Sequence, residues 1–405
     1  MMDKINQILR LLPRSIRAVF WRIFYRLTLA SPVRSDDGVS VGSKVVVAGM
    51  FRTASGLGAW ARSNYYALQE AGFDVIAVDL SERLAPVDFD CKIPLQTFPP
   101  DRSGTLLIHV NAPEIAASLR LIGLRRGRKW RVIAAWAWEL DFFPIGWERA
   151  YSYISEIWAL SDFAAAAFRK HVRSPPVRVA PIAVSLPSHL ELKKPEKKVF
   201  RVLVLADALS SLERKNPIGS VEAFKIAFEG RDDCRLIVKI RNLKNAGTNA
   251  SALRAQIDEL SNAELLEGTL TDEQQWQLIA SVDILLSLHR AEGFGLGLAE
   301  AMVVGVPVIA TAWSGNLMFC NQDTAALVPY SLVKTSDSSG QYTWEGAFWA
   351  EPDIAAASNL LRVLEANRDR GSALAKSAGE MIRRVCGPKR IQKLTTDYLR
   401  KPPYE

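Results

Sequence analysis

The 405-residue sequence predicts an α/β chain built as two doubly wound parallel-sheet halves. Three observations carry this. The length exceeds what a single hydrophobic core usually fills, so two domains are the default. Short, near-continuously apolar runs alternate with helical stretches, the pattern of a parallel sheet covered on both faces. A Pro- and Lys-rich break, "PSHLELKKPEKK" at 187–198, interrupts that rhythm, and the rhythm restarts after it.

Taken in order, "KVVVAG" (44–49) reads as the first strand. "ASGLGAWARSNYYALQEAG" (54–72) reads as a glycine-rich turn entering a helix closed by Gly72. Strands are expected at "DVIAVDL" (74–80), "TLLIHVN" (105–111), "RVIAAWAWEL" (131–140), "EIWALS" (156–161) and "VRVAPIAV" (177–184), with a helix at 162–171. Beyond the linker come strand "RVLVLAD" (201–207), helix 216–228, strand "RLIVKI" (235–240) and helices at 249–260 and 271–281. Strand "VDILLSLH" (282–289) follows, then a glycine-broken segment entering a helix to about Val304, strand "PVIAT" (307–311) and a long helical region. The domain boundaries read 43–190 and 199–375, with a 376–405 tail able to cross back to the first half. Ligands of such sheets bind beyond the carboxyl ends of the strands, which places the site in the cleft between the halves.

The first 34 residues carry seven basic side chains against Asp3. Ile16, Val19, Phe20, Ile23, Phe24 and Leu27 share one helical face, with Arg14, Arg22 and Arg26 away from it. Those arginines rule out a membrane span and interrupt any signal-peptide core. The segment reads as an amphipathic helix lying on an anionic cytoplasmic membrane face, or as one packed on the protein's own body.

Composition narrows the chemistry. Four separated cysteines without a C-x-x-C pair, and four histidines without metal spacing, point away from disulfides and transition-metal sites. The net charge of +8 comes without a basic stripe interleaved with aromatics, so nucleic acid is not the expected partner. A dinucleotide oxidoreductase would need G-x-G-x-x-G together with a downstream acid, a combination that is missing.

The informative stretch is "LHRAEGFGLGLAEAMVVGVPVIAT" (288–311), with Glu292 on a turn beyond a strand and Glu300 read about two turns inside the next helix. Glycines at a helix start admit a ligand to the backbone, whose free N–H groups favour an anion such as diphosphate. A glycosidase places its two carboxyl groups roughly 5–9.5 Å apart across one sugar bond. Eight helical residues span about 12 Å. Two carboxylates gripping separate hydroxyl groups of an extended, phosphate-bearing ligand fit better, and a nucleotide sugar is such a ligand.

E-G-F-G-L-x-L-x-E followed by A-M-x-x-G-x-P-V-I-A-T resembles the E-x7-E signature of retaining glycosyltransferases of family 4, which have the GT-B fold. The likeness covers residues 43 to about 400. Trp138-Glu139-Leu140, Phe143-Pro144 and Trp147, with Leu288 to Leu296, resemble the bacterial polysaccharide-biosynthesis type. The resemblance implies a metal-independent hexosyltransferase without cofactor, acting on a UDP- or GDP-sugar and a saccharide or lipid-linked saccharide acceptor. The basic amphipathic start points to a lipid-linked acceptor and a peripheral place on the inner face of the cytoplasmic membrane. Glu300 would hold the donor ribose, Glu292 a hydroxyl of the transferred hexose, and Phe294, Gly295 and Leu296 would bind that hexose through backbone amides.

Arg214 and Lys215 match the family's diphosphate-binding pair, and Lys239 is a candidate third cation or a surface lysine. Gly56 and Gly58 lie in a loop resembling the one that approaches diphosphate and acceptor. His109 matches a position near the donor hexose, or is a histidine packed at a strand end. Glu139 and Asp141 are candidates for the acceptor hydroxyl, or solvated loop acids. Ser314, Gly315 and Asn316 are candidates for phosphate or base contacts, or a simple turn. A non-catalytic or regulatory nucleotide-sugar-binding protein on the same scaffold is the alternative reading.

Overall fold

The computed structural model describes residues 44–101, 103–125, 129–193 and 199–401, together with Phe24, Tyr25, Leu27, Thr28 and Leu29. The rest of the basic N-terminal segment and the lysines at 194, 197 and 198 lie outside the described residues.

The first half alternates β1 (Lys44–Gly49), α1 (Gly56–Glu70), β2 (Asp74–Asp79), α2 (Ser81–Leu84), β3 (Ser103–His109), α3 (Ala112–Leu121), β4 (Lys129–Trp136), β5 (Glu156–Ala159), α4 (Asp162–Arg169) and β6 (Val177–Val179). Its strands form one sheet in the order β2-β1-β3-β4-β5-β6, every pair parallel. The predicted strands over 131–140 and 177–184 are shorter than their apolar runs. The first ends at Trp136, so Ala137 to Leu140 form a loop beyond the sheet. Apolar composition alone does not separate a strand from the buried loop that continues it.

The second half runs β7 (Phe200–Asp207), α5 (Leu212–Lys215), α6 (Pro217–Phe228), β8 (Cys234–Arg241), α7 (Thr248–Asp258), β9 (Ala263–Glu267), α8 (Asp272–Ala280), β10 (Ile284–Ser287), α9 (Leu296–Val303), β11 (Val308–Thr311) and β12 (Ala326–Val328). Its parallel sheet has the order β12-β11-β10-β7-β8-β9. Strand β9, "AELLE", was not foreseen, because Ala, Glu and Leu prefer helix. It is an edge strand held by its register on β8. Side-chain caps start the helices where the sequence places Ser, Asn and Thr: Ser55 for α1, Asn216 for α6 and Thr271, in a capping box with Gln274, for α8.

An antiparallel hairpin, β13 (Tyr330–Lys334) and β14 (Phe348–Pro352), projects after β12 and was not predicted either. Helices α10 (Ile354–Ala366), α11 (Arg368–Cys386) and α12 (Pro388–Arg400) complete the chain. The tail returns to the first half. Arg131 donates to the carbonyl oxygens of Leu399 and Tyr398, and Arg178 to that of Tyr398. Both arginines pair with the buried Glu156 carboxylate, at 2.8 and 3.3 Å. No described helix is long and apolar enough to cross a membrane.

Candidate active site in the interdomain cleft

In the second sheet the strand order reverses between β7 and β10, because β8 and β9 lie on one side of β7 and β10 to β12 on the other. Open parallel sheets bind ligands beyond their carboxyl ends at such a reversal. The turn after β7 carries Arg214 and Lys215, and the turn after β10 carries Glu292. Both turns open on a cleft of about 800 Å³ that is also lined from the first half by the loop after β1 and by Glu139.

Glu292 is buried, and its carboxylate meets Lys215 Nζ at hydrogen-bond distance and Arg214 Nη1 at 3.6 Å. Burial pushes this carboxyl up, but Lys215, Arg214 and His289 outweigh it and hold it at about 2. Arg214 is more deeply enclosed, donating to the carbonyls of Ala291 and Ser210. Lys215 retains the greater exposure of the two, 23% against 2%. Both line the cleft; Lys215 is the more exposed cation of the pair, and Arg214 also braces the turn that carries Glu292.

Gly295 has φ +91°, a left-handed conformation that ends the turn and caps α9. The helix consequently begins at Leu296, and Glu300 lies about one turn inside it rather than two. Phe294, Gly295, Leu296 and Glu300 all line the cleft. Glu300 accepts from Gln275 Nε2 at 2.8 Å, and burial, helped by Asp272, raises its carboxyl to about 7. The two glutamates thus share a cleft with opposite tendencies: one a fixed carboxylate among cations, one a carboxyl poised near neutrality.

Ser314, Gly315 and Asn316 do not line the cleft; they hold the Glu292 turn from behind. Ser314 Oγ accepts from Glu292 N at 2.7 Å, Gly315 N donates to Glu292 O at 2.8 Å, and Asn316 joins His289 to Thr311. A Cβ on Gly315 would lie 2.1 Å from Gly293 O, so only glycine allows this approach. Direct phosphate or base contacts from these three residues are therefore replaced by a supporting role.

His109 is likewise not brought to the cleft. It is fully buried, its Nε2 within 2.9 Å of Asn64 Nδ2 and its ring edge-on to Trp60, and burial lowers it to about 3. It is the packed histidine of a strand end. Gly58 is absent from the lining too; it sits tight against the Met50 and Thr53 carbonyls. Gly56 does face the cleft. Asp141 points to Lys170 at 3.6 Å, about half exposed. Lys239 reaches the cleft from β8 but donates to Gly268 O, and burial lowers it.

Several cleft residues escaped the sequence reading. Arg241, at the end of β8, crosses the mouth to pair with Asp88 and bonds Ala54 O of the loop after β1. Its position at a strand's carboxyl end was the available signal. Gln341 and Gln275 also line the cleft, and nothing in the local sequence marks either. The described residues hold one carboxylate–thiol cluster of metal-ligand type, Asp233, Cys234 and Glu365; it lies outside the cleft, with Arg231 pairing both acids.

Residues 195–331 match the family described as glycosyl transferases group 1. Among curated proteins, the provisionally named glycosyltransferase ORF330 of Acidianus filamentous virus 2 is 31% identical over 153 residues, which cover 36% of this chain. Those residues span 43% of that relative's length. Among solved structures, Anabaena HepE in complex with UDP and glucose superposes with TM-score 0.62 at 14% identity, covering 88% of this chain and 99% of its own. Sucrose-phosphate synthase from Thermosynechococcus elongatus gives TM-score 0.62 at 14% identity over 88% and 98%. The fold is GT-B, and its second half carries the group 1 glycosyl transferase pattern over residues 195–331.

Proposed function

We propose that the chain is a retaining glycosyltransferase of family 4. It moves a hexose from a nucleotide-diphosphate sugar, UDP- or GDP-linked, to a lipid-linked saccharide in cell-surface polysaccharide synthesis. The observation that carries this reading is the Lys215–Glu292 pair at the sheet's reversal point, in one cleft with Glu300. A diphosphate entering the cleft takes Lys215 as its counter-charge and frees the Glu292 carboxylate for a hexose hydroxyl. Glu300 takes the ribose hydroxyls about one turn further along, and the backbone at Phe294 to Leu296 supports the hexose.

Charge that grows on the leaving phosphate is met by Lys215, with Arg214 behind it and Lys239 on the neighbouring β8, a fixed electrostatic arrangement that favours the transition state. Glu139 stands on the acceptor side, against Gly293. In the proposed front-side route the leaving phosphate itself receives the acceptor proton. The complexes of HepE with UDP and glucose and with UDP-glucose support a nucleotide-sugar donor. The N-terminal basic pattern supports the lipid-linked acceptor and the inner membrane face.

Thermal shift against UDP- and GDP-sugars tests donor binding, since a ligand of the native state alone raises the midpoint. Nucleotide release in the presence of saccharide acceptors tests transfer. Stabilisation without release under any acceptor would favour the non-catalytic alternative. Removing residues 1–30 is expected to abolish vesicle sedimentation and activity on lipid acceptors; unchanged values would exclude the lipid part. Chelation with EDTA is expected to leave turnover unchanged.

A further inference from the structure

The hairpin β13–β14 belongs to the second half by connectivity, yet its loop, residues 335–347, is packed into the first. Tyr342 is 1% exposed and lies nearly parallel to the Trp138 ring, 5.8 Å away at 28°. Trp344 meets Phe142 edge-on at 6.3 Å. Tyr342 Oη donates to Glu139 Oε2 at 3.0 Å, and the Arg214 guanidinium lies 5.4 Å from the centre of its ring. The same loop grips the cation-bearing turn. Asp337 accepts from Ser211 Oγ, and Ser338 N donates to Glu213 Oε1 at 3.1 Å. Ser211 has φ +67°, a strained conformation for a non-glycine residue, which persists where surrounding bonds over-determine it.

One buried phenol therefore stands between the acceptor-side carboxylate and the braced donor-side arginine. A phenylalanine there would fill the same space and keep the stacking, so packing alone does not explain the hydroxyl. A buried hydroxyl aimed at a carboxylate fixes that carboxylate's rotamer and leaves one oxygen for a ligand.

We infer that Tyr342 is a positioning residue that holds Glu139 for the acceptor hydroxyl and ties that grip to the seating of the 335–347 loop on the Arg214–Lys215 turn. The inference rests on the transferase reading and adds to it an acceptor-side residue delivered by the donor-binding half.

The test compares wild type, Tyr342→Phe, Glu139→Gln and the double variant for thermal midpoint, UDP affinity, and kcat and acceptor KM from nucleotide release. For Tyr342→Phe the expected result is a midpoint within a few degrees, UDP affinity within about twofold, and kcat/KM for acceptor lowered about tenfold or more. The double variant is expected to be no worse than Glu139→Gln alone, since the hydroxyl acts through that carboxylate. Wild-type kcat/KM in Tyr342→Phe, or a double variant showing the full product of the single losses, would overturn the inference. A purely structural role would lower the midpoint and UDP affinity together. If the wild type binds no nucleotide and releases none, the transferase reading itself fails, a result distinct from any of these.

Discussion

Glu292 sits where two opposing terms meet, and its substitutions separate them. Removing the carboxylate by Glu292→Ala takes one anionic partner from buried Arg214, which keeps the Ala291 and Ser210 carbonyls, a change that costs about 1–3 kcal/mol of stability. Glu292→Gln keeps the shape and some hydrogen bonding, and is expected to cut kcat strongly while nucleotide binding survives. Activity equal to wild type would remove Glu292 from the chemistry. Lys215→Ala is expected to weaken nucleotide binding by ~1.5–3 kcal/mol, the worth of a charge-assisted bond, read by titration calorimetry. Glu300 titrates differently. Its folded carboxyl, raised to about 7 from an ordinary 4.5, is protonated below neutrality. The native state therefore holds more protons than the unfolded chain between about 4.5 and 7, and this group's contribution to stability falls as pH rises through that window. In the proposed donor complex, ribose binding by the carboxylate has the opposite sense. Affinity for a nucleotide sugar is expected to fall as pH drops below about 7, and Glu300→Gln to flatten that dependence.

Among the elements, the turn from β10 into α9 shows how much of the site the sequence carries. Gly295 had to take a left-handed conformation to bring the chain from strand to helix, and E-G-F-G-L announces that turn. Its support was not announced. Ser314-Gly315-Asn316 read equally well as ligand contacts, and only the 2.1 Å approach of a would-be Gly315 Cβ to Gly293 O shows why they lie behind the turn. Gly315→Ala is expected to cost about 1–3 kcal/mol through overpacking and to lower turnover, since it displaces the carbonyl next to Glu292. A denaturation midpoint and kcat equal to wild type would show the loop yields freely. His109 and Gly58 carry the same lesson: a residue at the end of a strand or in a glycine loop has two sides, and linear sequence does not say which one meets the cleft.

Across the whole molecule, polar contacts join the halves at several places, Tyr342–Glu139 and Ser161–Gly293 O within the interface among them. Arg241 reaches over the cleft mouth to Asp88 and Ala54 O. Behind the first sheet, Glu156 holds Arg131 and Arg178, and these bind the carbonyl end of α12. Glu156→Gln removes the charge that pairs buried Arg131 and half-buried Arg178 while leaving them their tail carbonyls, and is expected to cost ~1–3 kcal/mol and loosen the tail, measured by urea unfolding and by protease cleavage near residue 387. An unchanged midpoint would mean the tail is held by apolar packing alone.

The sequence by itself determined the two alternating α/β halves, the break between them, and the cation and carboxylate turns, because strand burial, helix caps and glycine turns are local consequences of residue order. Only the tertiary structure decided which of those residues share a cleft, that Arg214 is buried behind the Glu292 turn while Lys215 is the more exposed, and that Tyr342 joins Glu139. Those outcomes depend on segments 77 to 203 residues apart meeting at the cleft, where burial and charge pairing, not local preference, set each side chain's surroundings.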